Sequence, residues 1–165
     1  MKKILALLLA LVMVFALAAC GGGGDTPSGT EAPSEDGNNV IKIGVFEPLT
    51  GDSGPGGKQE MLGMQYAHSL RPTVTIGEVE YTIELVPGDN QSDGTKAATA
   101  ASSLISQGVS VVLGTYGSSS AINAAPIFEE NQIPAIGVTC TNPQVTMGNN
   151  YYFRTCFIDP FQGTV

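Results

Sequence analysis

Short runs of β-branched and aliphatic residues alternate with longer segments of helical periodicity between residues 41 and 155, and this alternation limits the fold more than any other feature. Residues 41–46 (IKIGVF) suit a buried strand. The Gly-rich stretch 51–57 reads as a turn, and 58–70 as a helix with a loose apolar face of Met61, Leu62, Met64 and Ala67, stopped by Pro72. Residues 81–86 (YTIELV) alternate as a second strand. Asp93 is placed to cap a helix over 94–107, whose Ala97, Ala100, Ala101, Leu104 and Ile105 fall at i, i+3, i+4, i+7 and i+8 before Gly108. A third strand spans 109–113, and a Gly/Ser loop spans 114–120. A helix then runs to about Asn131, which Pro126 is expected to kink or restart. Residues 134–138 and 151–155 supply the fourth and fifth strands. Such spacing predicts βαβ units: an α/β fold with a Rossmann-like parallel sheet and helices on both faces. Ligands of such sheets bind at the carboxyl ends of the strands, which singles out the loops after strands one, three, four and five.

The first nineteen residues read as an address. Lys2 and Lys3 precede 16 uncharged residues, 4–19 (ILALLLALVMVFALAA). That run is short for a membrane span, which needs about 20 apolar residues, and fits the core of a secretory signal. It ends in Leu17-Ala18-Ala19-Cys20, which resembles the lipobox of bacterial lipoproteins, where the cysteine thiol accepts a diacylglycerol. The plainer alternative is a cleaved signal with a chance cysteine. Residues 20–39 hold four consecutive glycines, then Pro, Ser and acidic residues, with no aromatic and no aliphatic larger than Ala; this composition makes a flexible tether. The expected organisation is a signal peptide over 1–19, a membrane tether over 20–39 and a folded lobe over 40–165.

Charge and motif content exclude several functions. Seven Lys and Arg stand against 15 Asp and Glu, and loss of Lys2 and Lys3 with the leader takes the net charge from −8 to near −10. A nucleic-acid partner is therefore not expected, because phosphate binding needs clustered cations. One histidine, His68, and the lack of CxxC or HExxH spacing leave no zinc site, and no cofactor is implied. The loop GDSGPGGKQ (51–59) fails as a phosphate loop, since Asp52 replaces the first glycine and Gln59 the magnesium-binding hydroxyl; GxGxxG fails there as well.

Polar groups remain at the strand ends. GTYGSSSA (114–121) carries Ser118, Ser119 and Ser120 to a helix N-terminus, where hydroxyls, backbone N–H groups and the helix dipole suit an anion; serine capping of the helix explains the same residues. As a nucleophile loop it lacks GxSxG, and His68 on the first helix has no fixed acid partner. VTCTNP (138–143) presents Thr139 and Thr141 at the sheet edge, suited to a small polar ligand, or simply forms a capped loop. In FIDPFQG (157–163), Asp159 either caps the next helix or faces an ammonium group. Cys140 and Cys156 are open to either a disulfide or a pair of free thiols.

The ordered set of a lipobox, a polar tether, IKIGVFEPLTG, GDNQSD, GTYGSSS, IGVTCTNP and FRTCFIDPFQG resembles the amino-terminal lobe of type I periplasmic binding proteins, specifically the branched-chain amino acid group that feeds ABC transporters. The resemblance covers essentially all of 40–165. It implies that Ser118, with Ser119 beside it, binds a ligand α-carboxylate. Thr139 and Thr141 would lie at the α-ammonium end, with Asp159 near the amino group. It further implies an extracytoplasmic, lipid-anchored protein that is not an enzyme, with an amino acid as ligand, an ABC permease as partner and the membrane reached through lipid on Cys20. The sequence departs from the family in two places. No aromatic occupies 54–57 over the ligand, and neither GDNQSD nor GTYGS carries the cysteine that some members use to clip them. Because the family continues into a second lobe that closes on the ligand, the chain is expected to be a partial one. Two other readings compete: a ligand-sensing module of the same fold with a signalling partner, and a serine esterase using a residue of 118–120.

Overall fold

The computed structural model describes residues 39–164; the leader, Cys20 and most of the tether lie outside the described residues. β1 (Val40–Glu47) is followed by α1 (Gly54–Leu70), β2 (Thr73–Ile76), β3 (Val79–Asp89) and α2 (Gly94–Ser106). Then come β4 (Val111–Leu113), α3 (Ser118–Glu130), β5 (Ala135–Gly137), a 3₁₀ turn (Pro143–Val145), β6 (Tyr152–Arg154) and α4 (Asp159–Gln162). The six strands form one sheet in the order β2-β3-β1-β4-β5-β6. All neighbours run parallel except β2 with β3, which is the α/β fold expected with an antiparallel edge added.

Three expectations need correction. The sheet gains β2, an edge strand exposed at every position, joined to β3 through Gly77 and Glu78 with Gly77 at φ +63. Two-residue hairpins favour this glycine geometry. Second, α1 starts at Gly54, so half of the stretch read as a turn is its first turn. Pro55, with φ preset near the helical value, starts it. Gly57 lets the turn press on the loop before it, since a Cβ there would lie 2.3 Å from the Pro48 carbonyl oxygen. Third, α3 runs unbroken through Pro126, whose ring lies on the exposed side.

Asp93 caps α2 as expected, accepting from the Thr95 N–H at 2.7 Å and the Lys96 N–H at 3.0 Å. Ala97, Ala100, Ala101 and Leu104 are buried, with Ile105 packed beside them. Their small side chains let α2 and α3 approach closely on one face of the sheet, against Ala121, Ala124 and Ala125. Phe46, Phe128 and Tyr152 thread this layer, with ring centroids 5.6 Å apart for Phe46–Phe128 and 6.3 Å for Phe128–Tyr152. On the other face α1 alone covers Ile43, Ile83, Leu85 and Leu113, which stay half-buried. One rigid layer therefore carries the carboxyl ends of β1, β3, β4, β5 and β6, all directed to one edge.

Candidate functional site at the carboxyl edge

The edge is assembled from loops that hold one another. The Ser118 Oγ, on the first residue of α3, accepts the Asn142 N–H at 3.2 Å and so ties the loop after β4 to that after β5. Gly117 is the N-cap and no side chain caps the helix, so the capping explanation for Ser118 is not what the fold uses. The N–H groups of the first turn of α3 have no carbonyl within the helix to meet, and the dipole adds partial positive charge there.

Thr139 is exposed, and its hydroxyl donates to the Tyr116 carbonyl at 3.3 Å and to Glu60 Oε1. The Tyr116 N–H in turn donates to Glu47 Oε2 at 2.9 Å. Thr141 is half-buried, and its carbonyl accepts the Asp159 N–H at 3.0 Å, joining the loops after β5 and β6. The Asp159 side chain is exposed and caps nothing, because Asp159 is itself the first residue of α4, behind Ile158 as N-cap. Ser119 is exposed beside Ser118, and its carbonyl accepts from Asn123. All five predicted residues therefore lie on one edge. Four of them, Ser118, Thr139, Thr141 and Asp159, tie neighbouring loops together through backbone or hydroxyl contacts, and none of the five is buried away from solvent.

Residues that sequence reasoning passed over do the holding. Asn90 and Thr115 are wholly buried, and the Asn90 amide donates to the Thr115 hydroxyl at 2.8 Å. This bond joins GDNQSD to GTYGS, the two strings without cysteines. The Tyr152 hydroxyl donates to the Gly114 carbonyl at 2.8 Å, and burial drives its pKa well above the usual phenol value. The Arg154 guanidinium donates to the carbonyls of Cys140, Asn142 and Pro143 and to the Thr146 hydroxyl, at 2.8–3.1 Å, and so fixes the loop after β5. Cys140 and Cys156 are free thiols; burial first, then the neighbouring Cys156, pushes Cys140 up to about 11 and keeps it unreactive at neutral pH. His68 Nε2 is engaged with the Ile83 carbonyl at 2.9 Å, on the α1 face. It does not reach Ser118–Ser120.

Asp89 closes the outer end of the edge. Burial works against its charge, yet the Thr50 hydroxyl and the N–H groups of Gln91, Leu49 and Thr50 outweigh it and hold the carboxyl below its usual range. A lowered folded pKa means the stabilisation is present above the unfolded value of 3.8 and is lost as pH falls through the folded value. Replacing Asp89 with alanine should lower unfolding free energy by about 1–2 kcal/mol at neutral pH, because solvent screens part of this half-buried group's interactions, with the difference shrinking in acid. Urea melts at pH 7 and pH 3 check it.

A cavity of about 550 Å³ lies under α1. Its lining is mainly apolar, with Ile43, Met64, Ile83, Leu85 and Leu113, while Glu60, His68 and Arg71 supply the polar groups. The loop cluster, with its hydroxyls, carbonyls and helix N-terminus, is the site suited to a small molecule bearing both charges.

Comparison with known proteins agrees with the fold. The family described as Periplasmic binding protein matches residues 40–162. The Leu/Ile/Val-binding protein homolog 1 of Brucella abortus (strain 2308) is 32% identical over 127 residues, covering 76% of this chain and 34% of that protein. The crystal structure of a leucine binding protein, LivK, from Thermotoga maritima superposes with TM-score 0.69 at 41% identity, covering 75% of this chain and 35% of that one. A solute binding protein of an ABC transporter from R. palustris, in complex with benzoate, superposes with TM-score 0.60 at 27% identity, covering 74% and 33%. The chain thus spans about a third of the length of the relatives it matches.

Proposed function

Because this chain belongs to the periplasmic binding protein family, we propose that it is the extracytoplasmic solute-binding component of an ABC importer, capturing a branched-chain or related small α-amino acid for delivery to the permease. One observation carries the reading: the N-terminus of α3 with Ser118 stands beside the hydroxyl- and carbonyl-lined loop of Thr139 and Thr141. A carboxylate on the first needs N–H and O–H donors, and an ammonium on the second needs acceptors, so each charge of a zwitterion is hydrogen-bonded and neither is left unpaired. Asp159 adds a carboxylate at the same end. In this reading residues 1–19 are a signal peptide, Cys20 carries lipid and 20–39 tether the lobe at 40–165 to the outer face of the membrane. The protein's work is capture and release, with no bond broken. The engagement of His68 with the Ile83 carbonyl supports this, since no histidine is then hydrogen-bonded to Ser118–Ser120 as a base.

The benzoate-bound neighbour marks the alternative ligand class, a carboxylate without an ammonium. The test is ligand-induced thermal stabilisation of the intact protein by leucine, isoleucine, valine and benzoate. Amino acids should raise Tm and benzoate should not; stabilisation by benzoate alone would reassign the ligand. Removing the hydroxyl in Ser118→Ala should weaken amino acid binding by about 10-fold or more, the usual worth of a hydrogen bond to a charged group.

A further inference from the structure

Glu47 ends β1 with its side chain wholly buried. Its Oε2 accepts the Tyr116 N–H, while Oε1 is buried without a hydrogen-bond partner. Glu60, one and a half turns into α1, accepts the Thr139 hydroxyl on Oε1, and its Oε2 is likewise buried without a partner. The two carboxyls lie within hydrogen-bonding reach of each other. Two buried carboxylate oxygens facing one another cannot both stay ionised and unpaired. One proton placed between them satisfies both orphans at once.

We propose that Glu47 and Glu60 share a single proton and act as one positioning unit, which commits the Thr139 hydroxyl proton inward to Glu60 and leaves the Thr139 oxygen facing ligand as an acceptor. A hydroxyl has one proton to donate and two lone pairs to accept with. With its proton directed to Glu60 and the Tyr116 carbonyl, Thr139 matches an N–H donor of the ligand and mismatches a carboxylate. The singly protonated pair also leaves one negative charge behind that oxygen, which strengthens the match to an ammonium. This last step rests on the amino acid reading above; the shared proton does not. The titratable groups facing the pair are Tyr152 from β6 and Cys140 from the loop after β5, both neutral at pH 7. Further along α1, His68 is turned to the Ile83 carbonyl, and Arg71 lies beyond it on the groove side. No cation contributes to the environment of Glu47.

Infrared difference spectra of the intact protein at neutral pH test the pair without ligand. Wild type should show one protonated carboxylic acid that disappears in Glu47→Gln and shifts in Thr139→Val. Absence of that band, or a band unmoved by Thr139→Val, overturns the proposal. Leucine titrations across pH 7–10 test the consequence. Measured relative to Glu47→Gln, wild-type affinity should rise by about 10-fold as Glu47 ionises near pH 9, because a second negative charge then stands behind the Thr139 acceptor. That variant carries a permanent N–H in place of the shared proton, so it corrects for the ligand's own amine titration. Parallel profiles in the two proteins would sink the positioning role. Should wild type bind no amino acid, the transport reading fails, while the acid band still decides the pair.

Discussion

Replacing Gly114 with alanine should destabilise the protein by about 3–5 kcal/mol and abolish ligand binding at the carboxyl edge. Gly114 sits at φ +119, where a side chain is strained whatever the space around it. The space is also closed. A Cβ there would lie 2.1 Å from the Phe46 carbonyl oxygen and 2.6 Å from Glu47 Oε1. The Phe46 carbonyl is backbone of β1, the strand directly beside β4, so that clash cannot be relieved by turning a flexible side chain. The Gly114 carbonyl receives the buried Tyr152 hydroxyl, and displacing it would leave that hydroxyl unpaired as well. The loop that follows carries Thr115, Tyr116 and Ser118, so strain at 114 reaches every contact that ties the edge together. Denaturant melts with leucine titration check this. A fully stable Gly114→Ala that still binds would show that the loop tolerates a different path.

The parts of this fold that were legible in the sequence are those where pattern and burial coincide. The α2 stripe of Ala97, Ala100, Ala101 and Leu104 could be read because helical period and apolar content agree, and all four face the core. The edge β2 could not be read from burial, because each of its four residues is exposed; only Thr-Val-Thr-Ile followed by Gly-Glu signals it. The placement of Ser118, Thr139, Thr141 and Asp159 follows from topology alone, since parallel strands must deliver their following loops to one edge. What each side chain does there does not follow from topology. Ser118 reads as a cap until the structure places Gly117 in that role, and Asp159 reads as a cap until α4 starts on it. Glu47 and Glu60 were invisible for a physical reason: carboxylates are rarely fully buried, so nothing in FEPLTG or KQEML suggests two meeting under a threonine. Period two does put Glu47 on the face of Ile43 and Val45, but its partner depends on where α1 begins, and Gly54–Gly57 disguised that start as a turn.

The wild-type protein should lose stability steadily as pH rises from about 5 to about 9, and Glu47→Gln should remove most of that slope. Burial, then the facing Glu60, raises the Glu47 pKa from 4.5 to about 9. Between those values the folded chain holds a proton that the unfolded chain releases, so folding takes up a proton and becomes less favourable as protons grow scarce. The stabilising contribution is complete below 4.5 and is gone once pH has passed the folded value near 9. Each pH unit in the window is worth up to about 1.4 kcal/mol, so on the order of 3 kcal/mol separates pH 5 from pH 8. Cys140, also raised by burial, extends the loss above pH 9 in the same direction, whereas Asp89 and Asp93, both lowered by hydrogen bonds to their carboxylates, act only in acid and with the opposite sign. A glutamine at 47 keeps an acceptor for the Tyr116 N–H and supplies an N–H toward Glu60, with no proton to lose. Chemical denaturation of both proteins across this range should therefore give curves that meet near pH 5 and diverge upward, the variant becoming the more stable by pH 8. Curves that stay parallel would mean that Glu47 is ionised in the folded protein at neutral pH, and that its buried Oε1 finds a donor other than a proton held with Glu60.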